Sequence, residues 1–139
     1  RETLMTDRSH LYPALRYRDP RAAIDFLVNA FGFSVHAVHE APGGGIAHAE
    51  LKLGEGLIMI GTLDPALAAE GRTVTGGTAG IYVAVAYVDA HHDRAVAGGA
   101  VVTRPLANTD YGSREYSCRD SEGYEWSFGT YDPLAKPID

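Results

Sequence analysis

One order of sequence patterns occurs twice along this chain, and that repeat limits the fold more than any single motif does. In each copy a strand-like segment is followed by a helix and then by three further strand-like segments. The stretch Leu15-Arg16-Tyr17-Arg18-Asp19 before the first helix corresponds to Val85-Ala86-Tyr87-Val88-Asp89 before the second. Such a repeat indicates one supersecondary unit used twice. The sequence therefore predicts an α+β domain over 10–132, built of βαβββ modules at 10–61 and 81–131 with a linker at 62–80.

The first module contains the clearest helix pattern in the chain. Asp19 can cap a helix that starts at Pro20, and Gly32 stands where a C-terminal cap belongs. Apolar residues at i, i+3, i+4 and i+7 give this helix one buried face: Ile24, Leu27, Val28 and Phe31. The strands predicted around it are Leu11 to Tyr17, Phe33 to Glu40, Ile46 to Leu53 and Leu57 to Gly61.

The second module ends in a hairpin with strict alternation on both sides of a turn at Asp120 to Gly123. Tyr116 and Cys118 share one face before the turn, and Tyr124, Trp126 and Phe128 alternate with polar or small residues after it. Trp126 is interpreted as a core or dimer-interface residue and Cys118 as a packing residue. The remaining predictions are a strand from Ile81 to Val88, a helix capped by Asp89 through Ala97 with His91 and His92 on its surface, a strand from Ala100 to Arg104, and a helical turn at Pro65 to Ala69.

Composition excludes several classes of function. The 139 residues carry a net charge of −6 and no run of Lys or Arg, which argues against nucleic acid as a partner. No apolar run reaches the length that a membrane span needs, and the start of the chain has no apolar signal core, so we expect no membrane partner and a cytoplasmic protein. The residues before Met5 are open to interpretation as additions to the native chain, and the fold prediction does not use them.

The order and spacing of these motifs resemble a known superfamily. The segments Leu-Arg-Tyr-Arg-Asp with Ala-Ile-Asp-Phe-Leu and Phe-Gly-Phe near the start, and Arg-Asp-Ser-Glu-Gly-Tyr-Glu-Trp-Ser-Phe near the end, are similar to those of the vicinal oxygen chelate superfamily. That group includes glyoxalase I, bleomycin resistance proteins and extradiol dioxygenases. The resemblance implies a curved mixed-sheet cup made of the two modules, and a homodimer with its sites near the subunit contact. It does not imply one activity, because one fold carries many functions.

The resemblance also implies where a divalent metal would bind. In metal-dependent members each module lends two ligands, and the matching positions here are Tyr12, Glu50, Val83 (Tyr82 if the register slips by one) and Ser127. Only Glu50 is a usual ligand, so we predict that this metal site is absent and that the protein needs no cofactor. The alternative is a divalent ion held by His39, His48 and Glu50, because a simple hairpin places His39 opposite His48. His36 is expected on the other strand face from His39.

The predicted ligand site is the inner face of the cup. We expect it to be formed by Tyr12, Arg16, His48, Glu50, Tyr82, Arg114, Tyr116 and Ser127. Tyr111 and the other aromatic side chains could provide flat apolar walls. Glu50, if it were desolvated, would have a raised pKa and could act as a general base or as a partner for a cationic ligand. If it were exposed, it would be an ordinary carboxylate.

Two functions follow as hypotheses. The first is a metal-free protein that binds and sequesters a small molecule, cationic or aromatic, as bleomycin resistance proteins do. The second is a lyase or isomerase of the glyoxalase type, either metal-dependent or using acid–base chemistry at Glu50. The sequence names no substrate for either.

Overall fold

Each module of the repeat folds into its own four-stranded sheet. The computed structural model describes residues 11–71 and 79–135. The first sheet has the order β1-β4-β3-β2 and the second has the equivalent order β5-β8-β7-β6. The strands are β1 (Ala14–Tyr17), β2 (Ser34–Glu40), β3 (Ile46–Leu53), β4 (Gly56–Thr62), β5 (Gly80–Ala84), β6 (Val101–Asn108), β7 (Arg114–Arg119) and β8 (Glu125–Gly129). The helices are α1 (Pro20–Phe26), α2 (Pro65–Ala69) and α3 (Val88–Ala97), and a π-helical segment (Leu27–Phe31) directly continues α1.

The first strand of each module runs parallel to the last strand of the same module. β1 pairs with β4 and β5 pairs with β8 in parallel, whereas the other neighbours are antiparallel. Both sheets are therefore mixed, as expected for a βαβββ unit. Among the described strands the two sheets share no hydrogen-bonded pair, so they are not closed into one barrel within the chain.

The first helix forms as its capping residues predict. The Asp19 carboxylate accepts a hydrogen bond from the Ala22 backbone N–H at 3.1 Å, and Pro20 occupies the first turn. The π-helical segment ends at Gly32, whose φ of 89° is in the left-handed region that glycine adopts without a steric penalty.

The second helix differs from its prediction at the start. α3 begins at Val88 after Tyr87, so Asp89 lies inside the first turn and is not the cap. Its carboxylate instead accepts a hydrogen bond from Arg114 Nε at 3.0 Å. The neighbouring strands differ as well, since β5 ends at Ala84 and β6 continues beyond Arg104 to Asn108. β6 tolerates Pro105 because it is an edge strand.

A single hydrophobic core joins the two modules. The apolar faces of both sheets and the helices contribute to one cluster of buried residues. Phe31 packs against Trp126 and Phe128 of the second sheet, with ring centroids 5.3 and 4.9 Å apart. Trp126 is 0% exposed, so the core interpretation is correct for this chain. Cys118 is also buried, and burial raises the pKa of its thiol to about 12, which fits a packing role.

The β7–β8 turn fastens the second module to the start of the first helix. Asp120 is buried and accepts hydrogen bonds from the Tyr17 hydroxyl at 2.5 Å and from Trp126 Nε1 at 3.0 Å. The Glu122 carboxylate accepts hydrogen bonds from the backbone N–H groups of Arg18 and Asp19, at 2.7 and 2.8 Å. These donors belong to a helix start, where backbone N–H groups lack partners within the helix. We call residues 120–124 the latch turn.

His91 corrects the expectation of a histidine pair on the surface. It is half-buried and packs against Phe128, with the ring centroids 4.1 Å apart and the rings tilted. Its Nε2 lies 3.0 Å from the Phe31 carbonyl oxygen. Its Nδ1 lies 2.6 Å from the Tyr116 hydroxyl. Desolvation lowers the pKa of His91, so the neutral ring is favoured. Nε2–H then donates to the carbonyl and Nδ1 accepts from the tyrosine, which ties α3 to the π-helical segment.

None of the helices in 11–71 and 79–135 combines the length and the apolar character that crossing a membrane would require.

Candidate functional site

The second sheet presents a polar face on the side opposite its core. Alternation along β7 and β8 puts Tyr116 and Trp126 in the core and Glu115 and Ser127 on the other face. A bulge between Val102 and Arg104 places Arg104 opposite Ser117 on the same face. This face forms a concavity of about 540 Å³, here called the second-sheet concavity, lined by Gly80, Ile81, Tyr82, Arg104, Tyr111, Glu115, Ser127 and Tyr131.

Glu115 is the charged group at the base of this concavity. It is only 5% exposed, and its Oε1 accepts hydrogen bonds from the Tyr111 hydroxyl at 2.7 Å and from Arg104 Nη2 at 3.2 Å. Burial by itself would raise the pKa of Glu115, but the hydrogen bonds from Tyr111, Ser113 and Arg104 outweigh it and lower the pKa. Glu115 is therefore a carboxylate at neutral pH.

A chain of side-chain hydrogen bonds continues from Arg104 across the floor of the concavity. Arg104 Nε donates to Ser117 Oγ at 3.2 Å, and Ser117 Oγ lies 2.7 Å from Ser127 Oγ. Ser127 occupies the position where the family resemblance implies a metal ligand. Here its hydroxyl belongs to a protein hydrogen-bond chain that ends on a charged pair.

Three tyrosines form the walls. The Tyr82 hydroxyl donates to the Tyr131 carbonyl at 2.6 Å, while Tyr111 is 62% exposed at the rim. Glycine is needed at the floor, because a Cβ at Gly129 would come within 2.5 Å of Glu115 Cγ and 2.7 Å of the Tyr82 hydroxyl. The polar groups therefore converge between aromatic rings, a common makeup of small-molecule sites.

The first sheet has a polar face of a different kind, centred on Glu50. Glu50 Oε2 lies 2.9 Å from His48 Nε2, and its Oε1 lies 3.9 Å from His36 Nε2. The hydrogen bond from His48 lowers the pKa of Glu50 despite some desolvation, and the nearby charges of His48, His36 and His39 lower it further. The desolvation that a raised pKa would need is therefore outweighed here, because the histidines favour the carboxylate form.

The strand register explains which histidines reach Glu50. His39 lies opposite His48, as predicted, with ring centroids 6.0 Å apart. His36 was expected on the opposite face, but the register shifts between Val35 and Ala37 and leaves His36 as the extra residue of a bulge. This bulge interrupts the alternation and brings His36 near Glu50.

Other predicted ligand residues lie apart from the second-sheet concavity. Arg16 and His48 line a smaller concavity of about 220 Å³ on the first sheet. Tyr12 precedes β1, which starts at Ala14, so it does not share a strand face with Arg16.

Two predicted ligand residues lie on neither polar face. Tyr116 is 0% exposed in the core beneath His91, because its alternation with Glu115 turns it toward the helices. Arg114 bonds with Asp89 of α3 and with Asn108 Oδ1 at 3.1 Å, so it holds the helix and the sheet edge together.

The predicted single ligand face is therefore divided between two sheets. Arg16, His48 and Glu50 lie on the first sheet, and Tyr82 and Ser127 on the second. Sequence reasoning missed Arg104, Glu115 and Tyr131. Glu115 could have been found, because strand alternation places it on the same face as Ser117, two residues later. The placement of Arg104 depends on a bulge and could not.

The possible metal ligands are scattered over the structure. Across 11–71 and 79–135, no three or more His, Cys, Asp or Glu side chains are arranged to hold an ion. His39, His48 and Glu50 are neighbours, but their nitrogen and oxygen atoms do not form such a group. Their arrangement does not fit the ligand set of a divalent ion, which needs about three protein ligands.

The comparisons with known proteins identify the family. The model for the glyoxalase/bleomycin resistance protein/dioxygenase superfamily matches residues 10–128, and the chain belongs to that superfamily. The α+β fold class with two mixed four-stranded sheets, and the resemblance seen in the sequence motifs, are thereby confirmed.

Individual relatives agree with this placement. An uncharacterized protein of Mycobacterium bovis is 33% identical over 124 residues, covering 86% of this chain and 81% of the relative. The crystal structure of TioX from Micromonospora sp. ML1 aligns with a TM-score of 0.71 at 36% identity, covering 87% of this chain and 97% of TioX. TnmS3, an antibiotic binding protein from Streptomyces sp. CB03234, aligns with a TM-score of 0.67 over 89% of this chain and 97% of its own. At 20% identity TnmS3 shows the shared fold alone.

Proposed function

We propose that this protein binds and sequesters a small aromatic molecule without a metal, in the second-sheet concavity. The observation that carries the proposal is the nearly buried Glu115 carboxylate between tyrosine rings. Aromatic walls favour a flat ring system, and a carboxylate favours a ligand with a cationic or N–H donor group. TnmS3, which shares this fold, is an antibiotic binding protein, and binding of the same kind is proposed for this chain.

A matched pair of dyes tests this proposal. Proflavine is a flat cation with two amino groups, and acridine is the same ring system without them and is neutral at pH 7.5. We expect proflavine to bind more tightly than acridine in a fluorescence titration, with no change after chelator treatment. We expect Glu115→Gln to weaken proflavine binding about 10-fold, the size of one charge-assisted hydrogen bond.

The matched control is Glu125→Gln, an exposed carboxylate on the neighbouring strand. This variant should keep the wild-type affinity. Equal binding of both dyes with no effect of Glu115→Gln, measured on variants that are folded at the assay temperature, would contradict the proposal. A requirement for a divalent ion would contradict the metal-free part.

A second candidate function is acid–base catalysis on the first sheet. It rests on the 2.9 Å contact between His48 and Glu50, since a carboxylate can orient an imidazole that takes up a proton. The lowered pKa of Glu50 makes that carboxylate itself a weaker base. If the hemithioacetal of methylglyoxal and glutathione is turned over, Glu50→Gln should abolish turnover and leave the melting temperature nearly unchanged. Full activity in this variant would exclude Glu50.

We also propose that the protein is a cytoplasmic homodimer. β1 and β5 end their sheets, and in the described residues neither has a strand partner on its outer side. The opposite edges, β2 and β6, are interrupted by bulges that discourage pairing. The regular edges are therefore the candidates for contact with a second copy of the chain.

A further inference from the structure

The second-sheet concavity contains one group that already occupies the place of a ligand. Tyr111 lies on the loop between β6 and β7, and its hydroxyl donates to Glu115 Oε1 at 2.7 Å. The same oxygen accepts from Arg104 Nη2 at 3.2 Å. A carboxylate oxygen has two lone pairs, so Tyr111 and Arg104 fill Oε1, while Ser113 adds a further hydrogen bond to the same carboxylate. An incoming donor can reach this oxygen only by replacing one of them.

Of the two donors, Tyr111 is the one that a ligand can displace. Arg104 carries the charge that compensates Glu115 and is also held by Ser117 Oγ at 3.2 Å. Tyr111 is neutral and 62% exposed, so its ring can turn into solvent at little cost in buried surface. Losing Arg104 would leave a buried carboxylate without its cation, whereas losing Tyr111 exchanges one hydrogen bond for another.

The backbone beneath Tyr111 is firmly built, so the movable part is the side chain. Thr109 N–H donates to the Ser113 carbonyl at 2.8 Å, and Ser113 N–H donates to Thr109 Oγ1 at 3.0 Å. Gly112, with a φ of 88°, allows the tight return of the chain between them. The loop therefore presents Tyr111 from a fixed base, and rotation about its side-chain bonds opens or closes the site.

We propose that Tyr111 is a gate whose phenol group occupies the ligand position in the free protein. The ligand is then an aromatic molecule with an N–H or O–H donor, and this donor replaces the Tyr111 hydroxyl in the hydrogen bond to Glu115. This inference rests on the proposed function and specifies its ligand class. The ring and the hydroxyl of Tyr111 are themselves an aromatic group with a donor, bound where such a ligand would bind. In the free protein the buried carboxylate therefore keeps the Tyr111 hydrogen bond. A ligand must first break that bond, and the free energy of breaking it weakens ligand binding.

The test compares Tyr111→Phe with Tyr82→Phe, using proflavine and acridine as probes. Tyr111→Phe removes the competing donor but keeps the aromatic ring, so we expect proflavine to bind about 5-fold more tightly, the range of one ordinary hydrogen bond. Acridine, which lacks the donor, should bind equally to wild type and variant. Tyr82 donates to the Tyr131 carbonyl and not to Glu115, so Tyr82→Phe should not tighten proflavine.

The outcomes separate the gate from the proposed function. Unchanged or weaker proflavine binding by Tyr111→Phe, together with loss of binding in Glu115→Gln, would overturn the gate and leave the binding function standing. Equal tightening of acridine would also overturn it, because the effect would not depend on a donor. Failure of both probes to bind wild type and every variant, with all of these proteins folded at the assay temperature, would overturn the function and the gate together.

Discussion

The Asp120 side chain does more for stability than its place in a surface turn would suggest. It accepts hydrogen bonds from the side chains of Tyr17 and Trp126. Its Oδ1 also accepts hydrogen bonds from the backbone N–H groups of Glu122 and Tyr124, at 3.0 and 3.1 Å. Asp120→Asn replaces an anionic acceptor by a neutral group that must also bury two donor hydrogens. We expect the free energy of unfolding to fall by about 2–4 kcal/mol, measured by urea denaturation.

Asp25→Asn is the control for that change, because Asp25 is exposed on α1. Its free energy of unfolding should stay within about 0.5 kcal/mol of the wild type. An equally small effect of Asp120→Asn would show that the latch turn is held by other contacts.

Glu115 should make the melting temperature of the protein depend on pH in the acid range. Its pKa in the folded state is lowered from the usual 4.5, so folding favours the ionised carboxylate. The stability that it contributes is complete above the unfolded pKa and is lost as the pH falls through the lowered folded pKa. We expect the melting temperature of Glu115→Gln to fall less than that of the wild type between pH 6 and pH 3. If the melting temperatures of the two proteins fell by the same amount between pH 6 and pH 3, this role of Glu115 would be refuted.

At the scale of elements, the contact between α3 and the π-helical segment leaves no room for a side chain at Gly98. A Cβ there would lie 2.6 Å from Ala30 Cβ and 2.7 Å from Ala30 Cα, although the φ of −83° suits any residue. Gly98→Ala should therefore lower the free energy of unfolding by about 1–3 kcal/mol through overpacking alone.

Gly45→Ala provides the comparison in the same assay. A Cβ at Gly45 would meet nothing within 4 Å, so this substitution should have little effect. A similar loss in both variants would mean that backbone entropy, and not the helix contact, explains the Gly98 result.

Most elements could be predicted from the sequence because their signals are local. The cap at Asp19, the apolar face of α1 and the alternation around the turn at Asp120 depend only on neighbouring residues. The bulges at His36 and before Arg104 could not be predicted, since they arise from how two strands fit together. Those bulges decide which side chains reach Glu50 and Glu115, and this is why the site was less predictable than the fold.

At the scale of the whole molecule, the two polar faces belong to different sheets, which pack through one core but share no hydrogen-bonded strand pair. The homodimer proposal therefore has a direct test in sedimentation equilibrium. We expect a species of twice the chain mass of 14.9 kDa at micromolar concentration. A monomer at that concentration would contradict the dimer, and it would leave the second-sheet concavity as a site formed by one chain.

The latch turn also has a consequence for how the protein is made. It holds Arg18 and Asp19 through Glu122, residues 104 and 103 positions away along the chain. Ribosomes deliver these partners at very different times, because the N-terminal half emerges first. Until the last hairpin leaves the exit tunnel, the start of the first helix lacks the Glu122 carboxylate, and Phe31 lacks its ring contacts with Trp126 and Phe128. A nascent chain stalled before that hairpin should therefore be a target for chaperones and proteases.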